Sequence, residues 1–251
     1  MPKIIREGFR FRQDLTVPCY QTDSKFRLKA ASFMDMAQEI AMWAAEMLGF
    51  GYDELRSGGT AWVLSRMHVV FEKQPLWRED VSIWTWHKGA QGPFFLRDFL
   101  LEDKDGNRLA ESTSSWVILD TAARSFVRPE HLKEIMTVPD GLGDALDEPA
   151  PKLVFPRSLE KRPAGQHTVC YSDVDIIGHT NNARYAVWAM DALEYEVVSE
   201  RPVRELFINF NKETTPGQVV ALSTAKESDD VFWVEGEVDG KQVFIFKLIL
   251  G

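Results

Sequence analysis

The sequence predicts an α+β protein made of two copies of one unit, each a long central helix wrapped by a curled antiparallel sheet. Three observations support this fold class. Val17-Pro18-Cys19-Tyr20 matches Thr168-Val169-Cys170-Tyr171 at an offset of 151 residues. Each match precedes a loop and a long apolar helical pattern, and strand-like runs follow each helix. A proline-rich segment separates the two parts, and prolines neither donate to a strand ladder nor continue a helix.

The first unit is predicted to span residues 1–128. Its helix, near Ala30 to Leu48, has one narrow polar stripe and apolar residues elsewhere, which indicates a mostly buried helix. The turn Asp105-Gly106-Asn107 predicts a hairpin between the last two strands of this unit. The predicted strands are Ala61 to Phe71, Val81 to His87, Phe94 to Glu102 and Leu109 to Asp120.

Residues 129–162 are predicted to be a linker, and residues 163–251 a second unit with the same order. Its helix is predicted near Asn182 to Ser199, and Asp239-Gly240 predicts the equivalent hairpin turn. Its predicted strands are Leu206 to Lys212, Val219 to Ala225, Val231 to Val238 and Lys241 to Leu250. One helix covering one curled sheet is the order of a hotdog fold. We therefore expect a tandem, or double, hotdog whose sheets join edge to edge and hide their open strands.

Composition excludes several classes of function. The formal charge of −9 argues against a general nucleic-acid binder, because phosphate recognition requires accumulated lysine and arginine. Cys19 and Cys170 are too few for a disulfide framework or a zinc site, so we expect reduced thiols, no metal and a cytoplasmic protein. No segment has the apolar length of a membrane span, and no leader is recognised before the first strand.

The segment Tyr171 to Tyr185, with the sequence YSDVDIIGHTNNARY, is the best candidate for a reactive site. It gathers carboxylates, an imidazole and two amides around a glycine immediately before the second helix. Several of these residues have structural explanations of their own. Asp173 is expected to cap a turn, Asn181 or Asn182 to cap the helix, and Tyr185 to anchor the helix to the sheet. The other histidines, His68, His87, His131 and His167, are expected to be surface or strand residues.

This segment resembles the SDxDxNxHxNNxxY motif of the acyl-acyl carrier protein thioesterases, and the likeness extends along nearly the whole chain. The resemblance implies a catalytic set of Asp175, His179 and Glu213, the last from the strand Ile208 to Thr214. Thr214 stands where the family has cysteine, which weakens a cysteine-nucleophile scheme. Ile177 stands where the family has asparagine, so one polar group of the motif is missing.

Thioester hydrolysis by water, without metal or cofactor, is the chemistry that this resemblance implies. Backbone N–H groups opening the second helix, around Gly178 to Asn182, are expected to stabilise the developing oxyanion, so Gly178 and Asn181 are assigned to substrate binding. Glu213 is expected to activate the water, and Asp175 to orient His179 or that water. The leaving thiolate needs little help from a general acid.

The first unit is expected to be inactive and to supply the acyl pocket. Its loop, from Gln21 to Lys29, has no histidine, and Gln74 falls opposite Glu213 when Phe71 is aligned with Phe210. Adaptable methionines and large aromatics suit an apolar cavity. The substrate-binding candidates in this unit are Met34, Trp43 and Trp62, and further possible lining residues are Met36, Met42, Met47 and Met67.

The predicted function is therefore hydrolysis of acyl-acyl carrier protein (acyl-ACP) to free fatty acid in a bacterial cytoplasm. An acyl-CoA thioesterase and a non-hydrolytic acyl-binding protein are the alternatives. The expected partner is an acidic carrier protein, which would need a basic patch on this acidic chain. We expect no nucleic acid and no membrane span, and the protein to be a monomer or a homodimer. The candidate basic clusters begin at Lys3, Lys25 and Arg157.

Overall fold

A computed structural model describes residues 2–123, 125–127, 137–139 and 141–251. The predicted boundary between residues 128 and 129, and His131, lie outside the described residues. The strands are β1 (Ile4–Glu7), β2 (Arg10–Thr16), β3 (Thr60–Phe71), β4 (Asp80–Gln91), β5 (Phe94–Asp103), β6 (Arg108–Asp120), β7 (Ser125–Val127), β8 (Arg162–Thr168), β9 (Val203–Phe210), β10 (Val219–Lys226), β11 (Val231–Val238) and β12 (Lys241–Leu250). The helices are α1 (Ala30–Met47), α2 (Tyr52–Ser57), α3 (Asn182–Asp191) and α4 (Tyr195–Glu200).

All described strands form one antiparallel sheet in the order β1-β2-β4-β5-β6-β3-β9-β12-β11-β10-β8, with β7 paired to β6. Either side of the β3–β9 junction has the same internal order, since β2-β4-β5-β6-β3 corresponds to β8-β10-β11-β12-β9. At the junction Arg66 pairs with Asn209 and Val70 pairs with Glu205. This edge-to-edge tandem hotdog confirms the predicted fold class, and it closes the strand edges that each unit alone would leave open.

The two long helices cover one face of the sheet. Helix α1 packs against β2 and β4, helix α3 packs against β11 and β12, and the helices touch each other. The core between helices and sheet includes Phe33, Ile40, Phe244 and Phe246, none of which is exposed to solvent. Burying one such side chain stabilises the fold by about 2 to 3 kcal/mol, so this layer supplies much of the free energy of folding.

The prediction of one continuous second helix is wrong. Helix α3 ends at Asp191, and α4 begins again at Tyr195. Neither glycine nor proline marks the break, so the sequence pattern contained no stop signal. Helix α4 contacts the first unit instead: the guanidinium of Arg27 donates to Ser199 O at 2.6 Å, and Lys25 pairs with Glu200 at 2.8 Å. The hairpin strand β1 and the short helix α2 were not predicted either.

The repeat has an offset of 152 residues, not 151. Val17 and Val169 occupy the same place, because each donates to the turn before the next strand, to Glu79 O and Gln218 O respectively, at 2.9 Å. The matching Cys-Tyr pairs are therefore one residue out of register. Pairing the first-unit loop with the second-unit loop at 152 brings the hydrogen bonds of both loops into correspondence.

The linker crosses the face of the sheet that the helices leave open. Trp86 Nε1 donates to Gly143 O at 3.1 Å, and Lys88 Nζ donates to Leu146 O at 2.6 Å. Farther along, Leu153, Phe155 and Leu159 pack on Trp233 and its neighbours in the second unit. Within the described part of the chain, no helix combines the length and apolarity that a membrane crossing requires.

Candidate active site

The loop from Val174 to Thr180 holds the predicted reactive residues between a short 3-10 turn and helix α3. Asp175 N–H donates to His179 O at 2.9 Å, which closes the loop on itself. The Asp175 carboxylate accepts the N–H of Ile177 at 3.0 Å and that of His179 at 3.4 Å. Gly178 sits at φ +85°, a conformation that costs a glycine little. The loop is thus a compact turn that fixes the backbone of His179.

His179 and Glu213 meet beside this loop. The imidazole Nδ1 lies 3.1 Å from Glu213 Oε2, and the two side chains are 40% and 36% exposed. Glu213 follows strand β9, which ends at Phe210, so the carboxylate comes from the sheet and the imidazole from the loop. The partial exposure leaves both groups accessible to water. The structure therefore brings together the two residues separated by thirty-four positions in the sequence.

A buried hydroxyl network lies beneath Glu213. Tyr185 OH accepts the N–H of Thr214 at 3.0 Å and lies 2.9 Å from Thr214 Oγ1, which in turn lies 2.7 Å from Thr180 Oγ1. Burial raises the pKa of Tyr185, against the hydrogen bonds from Thr214. The tyrosine ring packs edge-on to Phe210 and Phe244, which confirms that it anchors the helix to the sheet. The network fixes the residue next to Glu213.

The start of helix α3 is tied to the first unit. Asn181 caps the helix as predicted, because its side-chain oxygen accepts the N–H of Ala183 at 2.8 Å. The same oxygen accepts Gln38 Nε2 of helix α1 at 3.1 Å. Nearby, Arg184 pairs with Asp35 of α1 at 3.0 Å. Burial raises the pKa of Asp35, whereas the Arg184 charge and hydrogen bond oppose that rise. The first unit therefore helps to position the candidate site.

Backbone donors for an oxyanion are fewer than the sequence indicated. The N–H groups of residues 178–181 already donate within the loop or to its flanks. Among the described residues, the N–H of Asn182 donates to none, and it points out of the first turn of α3, where helix ends carry unsatisfied donors. Asn182 is thus the donor that the geometry leaves available, whereas Gly178 and Asn181 shape the loop.

An apolar pocket begins beside Asn182 and enters the first unit. Its free space amounts to about 10 Å³, room for about one water molecule, so it is a narrow cleft. Met34 lies in its wall, as the sequence indicated, whereas Trp43 and Trp62 do not. Trp43 Nε1 donates to Glu39 at 2.7 Å, and Trp62 Nε1 donates to Phe50 O at 3.0 Å. The other lining residues are Ala37, Gln38, Leu64, Met67, Phe99 and Trp116.

Three side chains with metal-binding atoms lie together away from this pocket. The candidate ligand atoms of His167, Cys170 and Asp173 are within 4.8 Å of one another. They satisfy one another by hydrogen bonds: Asp173 Oδ2 lies 2.8 Å from His167 Nε2 and accepts Cys170 N–H at 2.8 Å. This arrangement caps the 3-10 turn, which is the role predicted for Asp173. Counting cysteines alone had not revealed the cluster.

Sequence reasoning missed the residues that act across the two units. Gln38 has no motif of its own and gains importance from its contact with Asn181 across α1 and α3. Asn182 belongs to the motif, but only the hydrogen bonds of its neighbours single it out as the available donor. The network of Thr180, Tyr185 and Thr214 had one signal, the threonine in the cysteine place of the family motif. His68, His87 and His167 are strand residues as predicted, but His87 is only 4% exposed, which no pattern around it indicated.

Comparison with known proteins is consistent with this geometry. Residues 8–136 match the acyl-ACP thioesterase N-terminal domain, and residues 157–242 match the acyl-ACP thioesterase C-terminal domain. The chain is 24% identical over 253 residues to the chloroplastic oleoyl-acyl carrier protein thioesterase 2 of Arabidopsis thaliana, covering 91% of this chain and 66% of that one. It is 26% identical over 238 residues to the chloroplastic palmitoyl-acyl carrier protein thioesterase of Gossypium hirsutum, covering 90% and 58%. The chain therefore spans less than two thirds of these relatives.

Two solved structures share the fold along nearly the whole chain. An acyl-ACP thioesterase from Bacteroides thetaiotaomicron superposes with a TM-score of 0.84 at 23% identity, covering 97% of this chain and 98% of that one. The 12:0-ACP thioesterase from Umbellularia californica gives the same TM-score at 20% identity, covering 98% of each chain. These superpositions independently support the tandem arrangement of the two units.

Proposed function

The chain belongs to the acyl-ACP thioesterase family, and we propose that it is a thioester hydrolase that releases free fatty acid from acyl-ACP. One observation carries the proposal: His179 Nδ1 lies 3.1 Å from Glu213 Oε2, and Asn182, three residues after His179, lines a narrow apolar cleft. A carboxylate and an imidazole in contact form a proton-transfer pair, and an acyl chain would enter the cleft by displacing its adaptable methionine side chains. The two features meet at Asn182, where a thioester carbonyl would lie.

The proposed reaction is attack of water on the thioester carbonyl. The Glu213 carboxylate accepts a proton from the water while His179 N–H holds the carboxylate in place, which leaves further acceptor positions on its oxygens. Asn182 N–H donates to the oxygen that becomes negatively charged. One such donor lowers the barrier by about 3 to 4 kcal/mol. Asp175 acts through the loop, because its carboxylate holds the backbone of His179.

The acyl chain is proposed to enter the first unit. Met34, Met67 and Phe99 form an apolar wall that a hydrocarbon can follow, and methionines adapt their shape at little cost. The carbon atoms of the acyl chain that lie beyond Asn182 would be buried against this wall and shielded from water. In this arrangement the second unit, residues 163–251, carries out the reaction, and the first unit, residues 1–128, recognises the acyl chain. Residues 129–162 link the two.

The carrier and the location of the protein belong to the same proposal. An acidic carrier would approach the loop from the solvent side of His179. The predicted N-terminal basic cluster is poorly suited to meet it, because Arg10 lies over the Trp86 ring and Arg12 pairs with Glu7 and Asp14. Both cysteines are free thiols, which fits a reducing compartment such as the cytoplasm.

The test is an assay of the purified protein against a ladder of saturated acyl-ACP substrates and the matching acyl-CoA ladder. Free fatty acid and free thiol are measured together, so that transfer to another acceptor is distinguished from hydrolysis. We expect turnover of acyl-ACP at one or a few chain lengths, with lower kcat/KM on the matching acyl-CoA. Hydrolysis of acyl-CoA but not of acyl-ACP would mean that coenzyme A, and not the carrier protein, carries the acyl group of the substrate. Binding of both ladders without thiol release would overturn the proposal of an enzyme.

A further inference from the structure

The helix-covered face of the first unit contains a buried arginine without an acidic partner. Arg97 on β5 is 7% exposed, and burial lowers its pKa to about 10, so it remains a cation at neutral pH. The one hydrogen bond that its side chain makes within the described structure runs from Nη1 to Thr85 Oγ1 at 3.2 Å. Among the described residues, no carboxylate forms an ion pair with it. The neighbouring Asp98 points to the other face, where it pairs with Lys88 at 3.2 Å.

Two further polar atoms in the same layer also lack partners. His87, opposite Arg97 in the ladder, is 4% exposed, and burial together with the Arg97 charge lowers its pKa to about 4, so it is neutral. Within the described structure His87 Nδ1 and Ser112 Oγ make no hydrogen bond. Ser112 is fully buried. Leaving buried polar atoms unpaired is costly, and leaving a buried cation without a counter-charge is costlier.

This polar group lies next to Phe99, one of the residues that line the apolar cleft. Arg97 and Phe99 are two residues apart on one strand and therefore share a face. Phe99, which lines the pocket, lies between Thr85 and Ser112 in the ladder. Because its Nη1 bonds Thr85, the guanidinium extends toward the row that Phe99 occupies. A ligand passing Phe99 would meet the arginine on one side and the Ser112 hydroxyl on the other.

The polar group is far from the reacting carbonyl. Strand β5 is separated from β9 by β6 and β3, so Arg97 and the strand leading to Glu213 are three strand spacings apart. Three spacings amount to about 14 Å across the sheet. A β-hydroxyl beside the thioester could not reach Arg97, whereas the far end of an acyl chain could.

We propose that Arg97, Ser112 and His87 form a subsite for an oxygen-bearing group at the far end of the acyl chain. The substrates would then be thioesters of fatty acids that carry a terminal hydroxyl or carboxyl group. This inference rests on the proposed function for the entry of the chain through the pocket. The guanidinium donates to the terminal oxygen, which supplies the acceptor that the fold itself does not provide.

Calorimetry on the purified protein tests the subsite without requiring turnover. Free fatty acids of each length are titrated in three forms, with a methyl, a hydroxyl or a carboxyl terminus. We expect the hydroxyl or carboxyl form to bind about 10-fold or more tighter than the methyl form at the best length, since a hydrogen bond to a charged group supports that ratio. Arg97→Met should abolish the preference, and Ser112→Ala should reduce it.

Thr113→Ala is the matched control, because Thr113 is the next residue on β6 and faces the other side of the sheet. It should leave the preference unchanged. Equal binding of all three forms by the parent protein, or an unchanged preference in Ser112→Ala and Arg97→Met, would overturn the subsite. Selective binding without thioester turnover would keep the subsite and remove the proposed enzyme. Turnover of methyl-ended acyl-ACP together with equal binding of the three fatty-acid forms would keep the proposed enzyme and remove the subsite.

Discussion

The two loops that precede α1 and α3 have the same backbone and different side chains. In the first unit Asp23 accepts the N–H groups of Lys25 and Arg27, as Asp175 does for Ile177 and His179 in the second. In the first unit Arg27 Nε also pairs with Asp23 Oδ2 at 2.8 Å. The arginine is thereby committed to its own loop and, through Nη2, to Ser199 O of α4, whereas His179 is directed at Glu213. The same turn serves as a structural brace in one unit and as a holder of an imidazole in the other.

The positions beneath the loops differ in the same sense. Leu28, Phe33 and Pro75 occupy the places of Thr180, Tyr185 and Thr214. This correspondence follows from equivalent hydrogen bonds, since Leu28 donates to Pro75 O at 2.8 Å and Thr180 donates to Thr214 O at 3.1 Å. Gln74, opposite Glu213 as predicted, turns inward and bonds Leu28 O and Val203 N–H. The comparison teaches that the fold requires the turn but not the polar network, so the network is there to position Glu213.

The largest effect is expected at the pair that the first unit lacks. Glu213→Gln and His179→Ala should each lower kcat on acyl-ACP at least about 100-fold, because each removes a group acting in the transition state. Steady-state kinetics at the preferred chain length measures this. The control is Arg27→Ala at the equivalent place of the first unit, which should keep the wild-type kcat. Comparable losses in all three variants would mean that stability, not chemistry, is being measured.

The second effect separates the two aspartates. Asp175→Ala should reduce kcat about 10-fold, because His179 loses the acceptor that fixes its backbone. Asp23→Ala should leave kcat unchanged and lower the free energy of unfolding by about 1 kcal/mol, since the N–H groups of Lys25 and Arg27 and the partly buried Arg27 guanidinium lose their partner. Urea unfolding and kinetics on the same samples give both values. The comparison fails if Asp23→Ala impairs turnover as much as Asp175→Ala.

A smaller effect is expected when Tyr185 is changed to the residue of the first unit. Tyr185→Phe introduces the equivalent of Phe33 but leaves Thr214 N–H without its acceptor, which costs about 1 to 3 kcal/mol. Because Glu213 adjoins Thr214, kcat should fall while KM stays nearly constant. Phe33→Tyr is the reciprocal control, with no expected change in kcat. A rise in KM alone after Tyr185→Phe would place the tyrosine in substrate binding instead.

The smallest effect concerns Asp173, whose place in the first unit is taken by Gln21. Burial alone would raise the pKa of Asp173, but hydrogen bonds from His167 and Cys170 hold it below the ordinary value of 3.8. A carboxyl with a lowered folded pKa stabilises the protein above its unfolded pKa and loses that contribution as the pH falls through the folded value. In Asp173→Asn the melting temperature should therefore decrease less steeply than in the parent protein as the pH is lowered below 3.8. An unchanged pH profile would contradict this assignment.

Local patterns were sufficient for most of the fold. The strands from β9 to β12 follow from alternation and from turns such as Asp239-Gly240, and α1 follows from its narrow polar stripe. The break between α3 and α4 was not predictable, because neither glycine nor proline marks it. The predicted repeat offset of 151 was wrong by one residue because the two Cys-Tyr pairs match by chance. Only the backbone hydrogen bonds show that equivalent residues are 152 apart.

The candidate site divides in the same way. The pairing of His179 with Glu213 could be inferred because a family motif spans both residues. Asn182 as the available donor could not, since it depends on which N–H groups the loop consumes. Arg97 gave no signal either: its isolation depends on Asp98 facing the other side and on the lack, among the described residues, of a carboxylate that pairs with its guanidinium.

The double variant His179→Ala/Glu213→Ala tests most directly the claim that one pair in the second unit carries the reaction. Its kcat on acyl-ACP is compared with those of the two single variants and the parent protein. When two residues act as a unit, removing one already costs about as much kcat as removing both. We therefore expect the double variant to be about as slow as the slower single variant. Losses that multiply, or parent-level turnover in the double variant, would contradict the claim.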